Sequence, residues 1–147
     1  MRISETECFL GIAKIISKRS TCKRRQYGSV IVKFVEYRKR GLLLSTGYNG
    51  AASGLINCCD IDGDCPRKIN NTPHNESYGS CYSIHSESNA CIQSGDRINN
   101  NCILYLYGYD LESNKEIIDP TPCNGCMNIM RNTGIKKYIN NTGEYLI

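Results

Sequence analysis

The sequence predicts an α/β fold, and three observations carry that prediction. A short β-branched run, Val30-Ile31-Val32-Lys33-Phe34-Val35, is followed after a charged turn by a second apolar run, Leu42-Leu43-Leu44-Ser45-Thr46, the pattern of a hairpin. In the second half, helical and strand-like segments alternate, which points to parallel strands with helices packed on the sheet. At 147 residues, 40% hydrophobic and 22% charged, the chain can build one real core and is short for two ordinary domains. With no internal repeat or linker, residues 1–147 read as a single domain.

The elements follow in order. Ser4 and Glu7 make a capping-box pattern, and Phe9, Ile12, Ala13 and Ile16 fall on one stripe, so a helix is expected over residues 4–18. A basic cluster, Lys18-Arg19 and Lys23-Arg24-Arg25, precedes Gly28 and the first strand, residues 30–35. Glu36 to Gly41 turns the chain into the second strand, residues 42–46. From Gly47 to Ser80, Gly, Asn, Cys, Asp and Pro dominate; so long an irregular segment in a small domain marks a functional loop or one held by a metal. A helix over Ile84–Ser94 is closed by Gly95, Cys102–Tyr107 is a strand, and Asp110–Thr121 is a polar excursion. A helix over Cys123–Thr133 stops at Gly134, and Ile135–Ile139 is the last strand.

Charge and composition exclude several classes. The 18 Lys and Arg against 14 Asp and Glu give a net charge of +4, suited to a small anionic ligand and short of the basic stripe of a nucleic-acid-polymer binder. No apolar run approaches the roughly 20 residues of a membrane span. The start, Met1-Arg2-Ile3-Ser4-Glu5-Thr6-Glu7, is no secretory signal, so a cytoplasmic protein with reduced thiols is expected. Its ten cysteines then read as ligands, nucleophiles or small core residues.

The chemistry concentrates at two helix starts. His85-Ser86-Glu87 opens one helix and Pro122-Cys123-Asn124-Gly125-Cys126 the other. Cys123 and Cys126, three apart, project to one side, and a helix N-terminus favours their thiolates. One imidazole and two thiolates are three ligands, which leave the fourth tetrahedral position of a Zn²⁺ ion to water, the catalytic arrangement. Zn²⁺ brings the pKa of such a water to about 7, and Glu87 stands in the first turn where its carboxylate can move the protons. Taken singly, His85 could be an ordinary helix histidine and the Cys-x-x-Cys a redox pair; together they specify a metal site.

His85-x-Glu87 with Pro122-Cys123-x-x-Cys126 matches the zinc deaminase signature. Beyond it the chain resembles the deoxycytidylate (dCMP) deaminase family, through Lys18 to Gly28, Ser45-Thr46-Gly47-Tyr48-Asn49-Gly50-Ala51, His85 to Ala90, and Gly134-Ile135-Lys136-Lys137. The resemblance implies a three-layer α/β/α sandwich around a mixed, five-stranded sheet, and hydrolysis of dCMP to dUMP and ammonia. It implies that Asn49 holds the sugar, although a turn residue between Tyr48 and Gly50 is the plain alternative. Arg25 would meet the 5′-phosphate, the backbone of Ser86 and Thr121 would read the base, and Tyr145 would close over the phosphate. A homo-oligomer, often a hexamer, is implied as well. Other readings kept open are another cytosine compound, adenosine in transfer RNA, and a non-enzymatic zinc-stabilised module.

Departures from the family pattern are Ser86 in place of the usual alanine between His and Glu, and Ala52 where a proline is common in the effector loop of regulated members. The excursion 110–121 is long, and the chain ends early at Ile147. The leftover cysteines leave two readings open. A second, structural zinc could pin the long loop through Cys22, Cys58 or Cys59, Cys81, and His74 or Cys65, since so polar a loop buries little to offset its ordering entropy. Alternatively these are reduced thiols filling small gaps.

Overall fold

A computed structural model describes residues 1–73 and 81–147. Helix α1 (Glu5–Ser17) starts at a complete capping box: Glu7 N–H donates to Ser4 Oγ at 3.1 Å, and Ser4 N–H donates to the Glu7 carboxylate at 2.8 Å. Strand β1 (Arg25–Val35) begins five residues ahead of the apolar run, because its polar first residues pair with a later strand, Arg25 opposite Asp110, and from Gly28 on it is paired on both sides. A 3₁₀ turn at Glu36–Arg38 and Lys39 in the left-handed region (φ 49°) lead into β2 (Arg40–Tyr48), antiparallel to β1 with a bulge at Ile31/Val32.

The long loop contains more order than its composition suggests. β3 (Gly50–Ala51) pairs with β4 (Ser83–Ile84), and between them lie a 3₁₀ turn at Cys58–Asp60 and the short helix α2 (Pro66–Ile69). Helix α3 (Ser86–Ser94) follows, ended by Gly95 at φ 58°. β5 (Cys102–Asp110) carries the small arm β6 (Lys115–Glu116), which gives the polar excursion a strand of its own. Helix α4 (Asn124–Thr133) ends at Gly134 (φ 95°), then β7 (Lys137–Ile139) and β8 (Glu144–Leu146) close the chain.

The strand order is β2-β1-β5-β7-β8, with β6 beside β5. Among the described residues, β5 and β7 run parallel and the sheet's other pairs are antiparallel, so the sheet is mixed. Alternation along β1 and β5 splits the interior in two. Ile31, Leu104 and Leu106 pack with Ala90 of α3 and Met130 of α4, while Val30, Val32, Tyr105 and Tyr107 pack with Phe9 and Ala13 of α1. The result is three layers: α1, sheet, and α3 with α4.

Two glycines set the helices at contact distance from the sheet. A Cβ at Gly28 would lie 2.0 Å from the Ala13 carbonyl oxygen of α1. One at Gly47 would lie 2.2 Å from the Ser86 carbonyl oxygen and 2.5 Å from Ala90 N. The backbone of α3 therefore rests directly on β2, and this fixes where its N-terminus points.

Candidate active site

Helix α3 is polar yet buried: Ser86, Glu87, Ser88 and Ser94 are all below a tenth exposed. Polar groups buried without neutral packing reasons cost free energy, so such a helix start implies work for those groups. His85 occupies its N-cap without making a side-chain cap bond. Cys123 occupies the N-cap of α4, where its sulfur accepts the Cys126 N–H at 3.4 Å.

These two caps face each other. His85 Nδ1 is 3.4 Å from Cys123 Sγ and 3.4 Å from Cys126 Sγ. Among the described residues, His85, Cys123 and Cys126 are the one group of three or more His, Cys, Asp or Glu whose ligand atoms lie within 4.8 Å of one another. A tetrahedral ion with bonds near ~2.3 Å to sulfur and ~2.0 Å to nitrogen separates neighbouring ligand atoms by about 3.5 Å. The donor set and its spacing therefore fit Zn²⁺.

The protons are distributed accordingly. Hydrogen bonds from Cys126 and His85 pull the Cys123 thiol down to about 3, while that same partnership and burial push the Cys126 thiol up. The Cys123 bond also raises His85 above the usual imidazole value. Glu87 is raised by desolvation, against its own backbone N–H, His85 and the Ser86 hydroxyl, which donates to Oε2 at 3.0 Å. A buried carboxyl beside the ligand cluster is placed to both accept and return a proton.

A pocket of about 820 Å³, counting its open mouth, sits over the cluster. His85, Ser86, Glu87, Thr121 and Cys123 line it together with Arg24, Arg25 and Asn49, and Cys22, Cys65, Arg67 and Cys81 line it as well. Asn49 is 6% exposed, and its amide bridges β1: Oδ1 accepts Tyr27 N–H at 2.7 Å and Nδ2 donates to the Arg25 carbonyl at 2.8 Å. One N–H and one lone pair of that amide remain for a ligand. Arg25 Nε is held by Asp110 Oδ2 at 3.2 Å, so its guanidinium reaches the pocket already half committed.

Other expected residues lie elsewhere. Tyr145 is not among the pocket-lining residues: its ring stacks on Tyr138 with centroids 5.2 Å apart, and its hydroxyl meets Thr142 Oγ1 at 2.7 Å. Cys58 is buried with its thiol raised by burial, Cys59 is exposed, and neither lines the pocket. His74 lies outside the described residues. Arg67 was not expected. It is 6% exposed, with Nη2 donating to the Pro73 carbonyl at 2.6 Å, and the only sequence hint is a helix-starting proline beside a cysteine.

Comparison with known proteins adds independent findings. The family pattern described as "Cytidine and deoxycytidylate deaminase zinc-binding region" matches residues 3–142. A "Deoxycytidylate deaminase" of Mycobacterium phage D29 is 33% identical over 138 residues, covering 90% of this chain and 91% of that protein. The protein of that name from Schizosaccharomyces pombe is 31% identical over 135 residues, covering 91% of this chain; the chain spans 36% of that relative's length. Among solved structures, the dCMP deaminase of cyanophage S-TIM5 superposes with a TM-score of 0.58 at 23% identity, covering 95% of this chain and 86% of that one. That last likeness speaks for the fold. The central mixed sheet flanked by helices is that of the cytidine deaminase-like proteins.

Proposed function

The chain belongs to the cytidine and deoxycytidylate deaminase family, and from that premise we propose that it hydrolyses dCMP to dUMP and ammonia. The observation that carries the reading is a three-ligand set, with both sulfurs 3.4 Å from His85 Nδ1, beside a buried carboxyl at the base of one pocket. His85, Cys123 and Cys126 would hold Zn²⁺, which supplies Lewis acidity and a water acidic enough to react at neutral pH.

The chain's own groups do the rest. Glu87 accepts a proton from the attacking water and delivers it to the ring nitrogen, so that the amine-bearing carbon becomes electrophilic. It then takes the proton of the newly attached hydroxyl and passes it to the amine, which leaves as ammonia while the carbonyl forms. Backbone groups of Ser86 and Thr121 read the base edge and hold the ring against Glu87. Asn49 spends its remaining hydrogen-bonding capacity on the sugar. The Arg25 guanidinium, oriented by Asp110, meets the 5′-phosphate, a charge-assisted contact worth roughly 1.5–3 kcal/mol. Arg24, Arg25 and Arg67 all line the pocket, which favours a nucleotide over an uncharged nucleoside. Tyr145 would reach the phosphate only by leaving its Tyr138 stack, so its part in the proposal requires a closing motion.

The wider reading is part of the same proposal: one deaminase domain over residues 1–147, cytoplasmic, and a homo-oligomer such as a hexamer. No helix among the described residues is long and apolar enough to cross a membrane. A second Zn²⁺ held by Cys22, Cys58 or Cys59, Cys81, and His74 or Cys65 belongs there too. It predicts two zinc ions per chain, one of them lost in Cys22→Ser.

The deciding experiment is ammonia release from dCMP, CMP, deoxycytidine, cytidine and a transfer-RNA substrate in parallel. dCMP should lead. Preference for another cytosine compound or for transfer RNA would overturn the substrate assignment, and no ammonia from any of them would leave the zinc-stabilised module.

A further inference from the structure

The serine between the metal-binding histidine and Glu87 has a place in the structure that its backbone role does not use. Ser86 is 0% exposed, and its hydroxyl turns toward the sheet, 2.7 Å from the hydroxyl of Ser29 on β1, which is also 0% exposed. The same Ser86 hydroxyl donates to Glu87 Oε2 at 3.0 Å. A serine has one proton to give. With Glu87 ionised, Ser86 gives it to the carboxylate, and the Ser29–Ser86 bond then runs from Ser29 Oγ–H to Ser86 Oγ. The three side chains form one directed line from β1 to the active-site carboxyl: Ser29 donates to Ser86, and Ser86 donates to Glu87.

The line rests on fixed backbone at both ends. Ser29 stands opposite Gly47 in the β1–β2 register, and Gly47 is where α3 sits on the sheet. Both serines are closed off from solvent.

We propose that Ser86, oriented by Ser29, is a positioning residue for the reaction assigned above: it holds Glu87 Oε2 so that Oε1 is the oxygen that exchanges protons with water and substrate. A hydrogen bond to Oε2 favours the carboxyl rotamer seen here. It also makes the two oxygens unequal, because the Ser86 hydroxyl donates to Oε2. The carboxyl therefore enters each proton transfer in one orientation, and the transition state loses nothing to a search for it.

The inference rests on the deaminase reading, and its test separates the two. Steady-state dCMP kinetics are compared for wild type, Ser86→Ala, Ser29→Ala and the double variant. Ser86→Ala removes one oxygen and creates no clash. The expected result is a kcat lower by about 10- to 150-fold, the size of one hydrogen bond to a charged group, with KM within twofold. Ser29→Ala should lose less. The double variant should be no slower than Ser86→Ala, because Ser29 acts only through Ser86.

A binding measurement reads the same effect without turnover. A dUMP analogue reduced at the base, with a tetrahedral hydroxyl-bearing carbon at the reacting position, should bind Ser86→Ala more weakly by a similar factor. Affinity for dUMP itself should not change. Unchanged kcat in Ser86→Ala, a loss appearing in KM instead, or multiplicative losses in the double variant would overturn the positioning role. Wild-type protein that releases no ammonia from dCMP would overturn the function proposed above and this inference with it. Wild-type turnover beside an undiminished Ser86→Ala would overturn this inference alone.

Discussion

The helix starts of this molecule are of two kinds. At α1, Ser4 and Glu7 satisfy each other's backbone N–H groups at the exposed surface. At α3 and α4 the capping positions carry His85 and Cys123, which face each other across 3.4 Å, and His85 makes no cap bond. A helix start leaves N–H groups without intrahelical partners and a local positive field. The first arrangement spends both on stability. The second spends them on thiolates and a buried carboxyl, and leaves stability to the contact of α3 with β2 at Gly47. At α3 and α4 the ligand-type residues His85 and Cys123 stand in the capping positions, and these two helix starts form the candidate site.

That contrast can be broken most severely at Glu87. Glu87→Gln should keep its zinc and its fold while kcat for dCMP falls by about a thousandfold, within the range of general acid–base contributions. Ammonia assays beside metal analysis read both; retained turnover would remove Glu87 from the proton path.

Next in size is the ligand set. Cys123→Ser should weaken zinc binding by well over ten- to a hundredfold, the range seen for groups that merely support a ligand. Competition against a chromophoric chelator measures it. Equal zinc affinity in the variant would place the ion elsewhere.

Gly47→Ala tests the seating of α3. Its Cβ would meet Ser86 O at 2.2 Å, so the helix must shift, and a displacement near 1 Å costs on the order of a hundredfold in rate. Gly11 on α1 has nothing within 4 Å of such a Cβ. Gly11→Ala should therefore raise stability by about 0.5–1 kcal/mol and leave turnover alone. Thermal unfolding and kinetics on the two variants sharpen the comparison directly.

The smallest effect is expected at the purely structural cap. Ser4→Ala should lower Tm by about 2–4 °C with kcat unchanged. Its pH dependence has a defined sign. Hydrogen bonds to Ser4 hold the Glu7 carboxyl below its usual value, so their stabilisation is present above the ordinary carboxylate range and fades as pH falls through the Glu7 value. The Tm difference between wild type and Ser4→Ala should shrink toward acid pH; a difference that grows there would contradict the cap.

Legibility in the sequence followed the range of the interactions. The capping box, Gly95 and Gly134 were readable because each acts within a few residues, and the deaminase signature because its ligands cluster at two helix starts. Strands β3, β4, β6 and β8 were not, since each has only two or three residues and exists by pairing with a distant partner. Loop order around Cys58–Asp60 and Pro66–Ile69 was hidden for the same reason: Cys59 N–H bonds to Thr21 O and the Lys23 ammonium to the Gly63 carbonyl. Ser29 carried no signal beyond being a serine in a buried strand, because its partner lies 57 residues on. Tyr145 drew attention by its place near the end of the chain, whereas its ring is engaged by Tyr138 across the β7–β8 pair.

The central claim is that His85, Cys123 and Cys126 hold the zinc ion on which Glu87-dependent deamination of dCMP relies. Its most direct test is ammonia release from dCMP by the protein as purified, after stripping with a chelator, and after stepwise return of Zn²⁺. The account predicts turnover, its loss on stripping, and recovery with zinc in the wild type but not in Cys123→Ser. Undiminished turnover by zinc-free protein, or a zinc-loaded protein that releases no ammonia from dCMP, would contradict it.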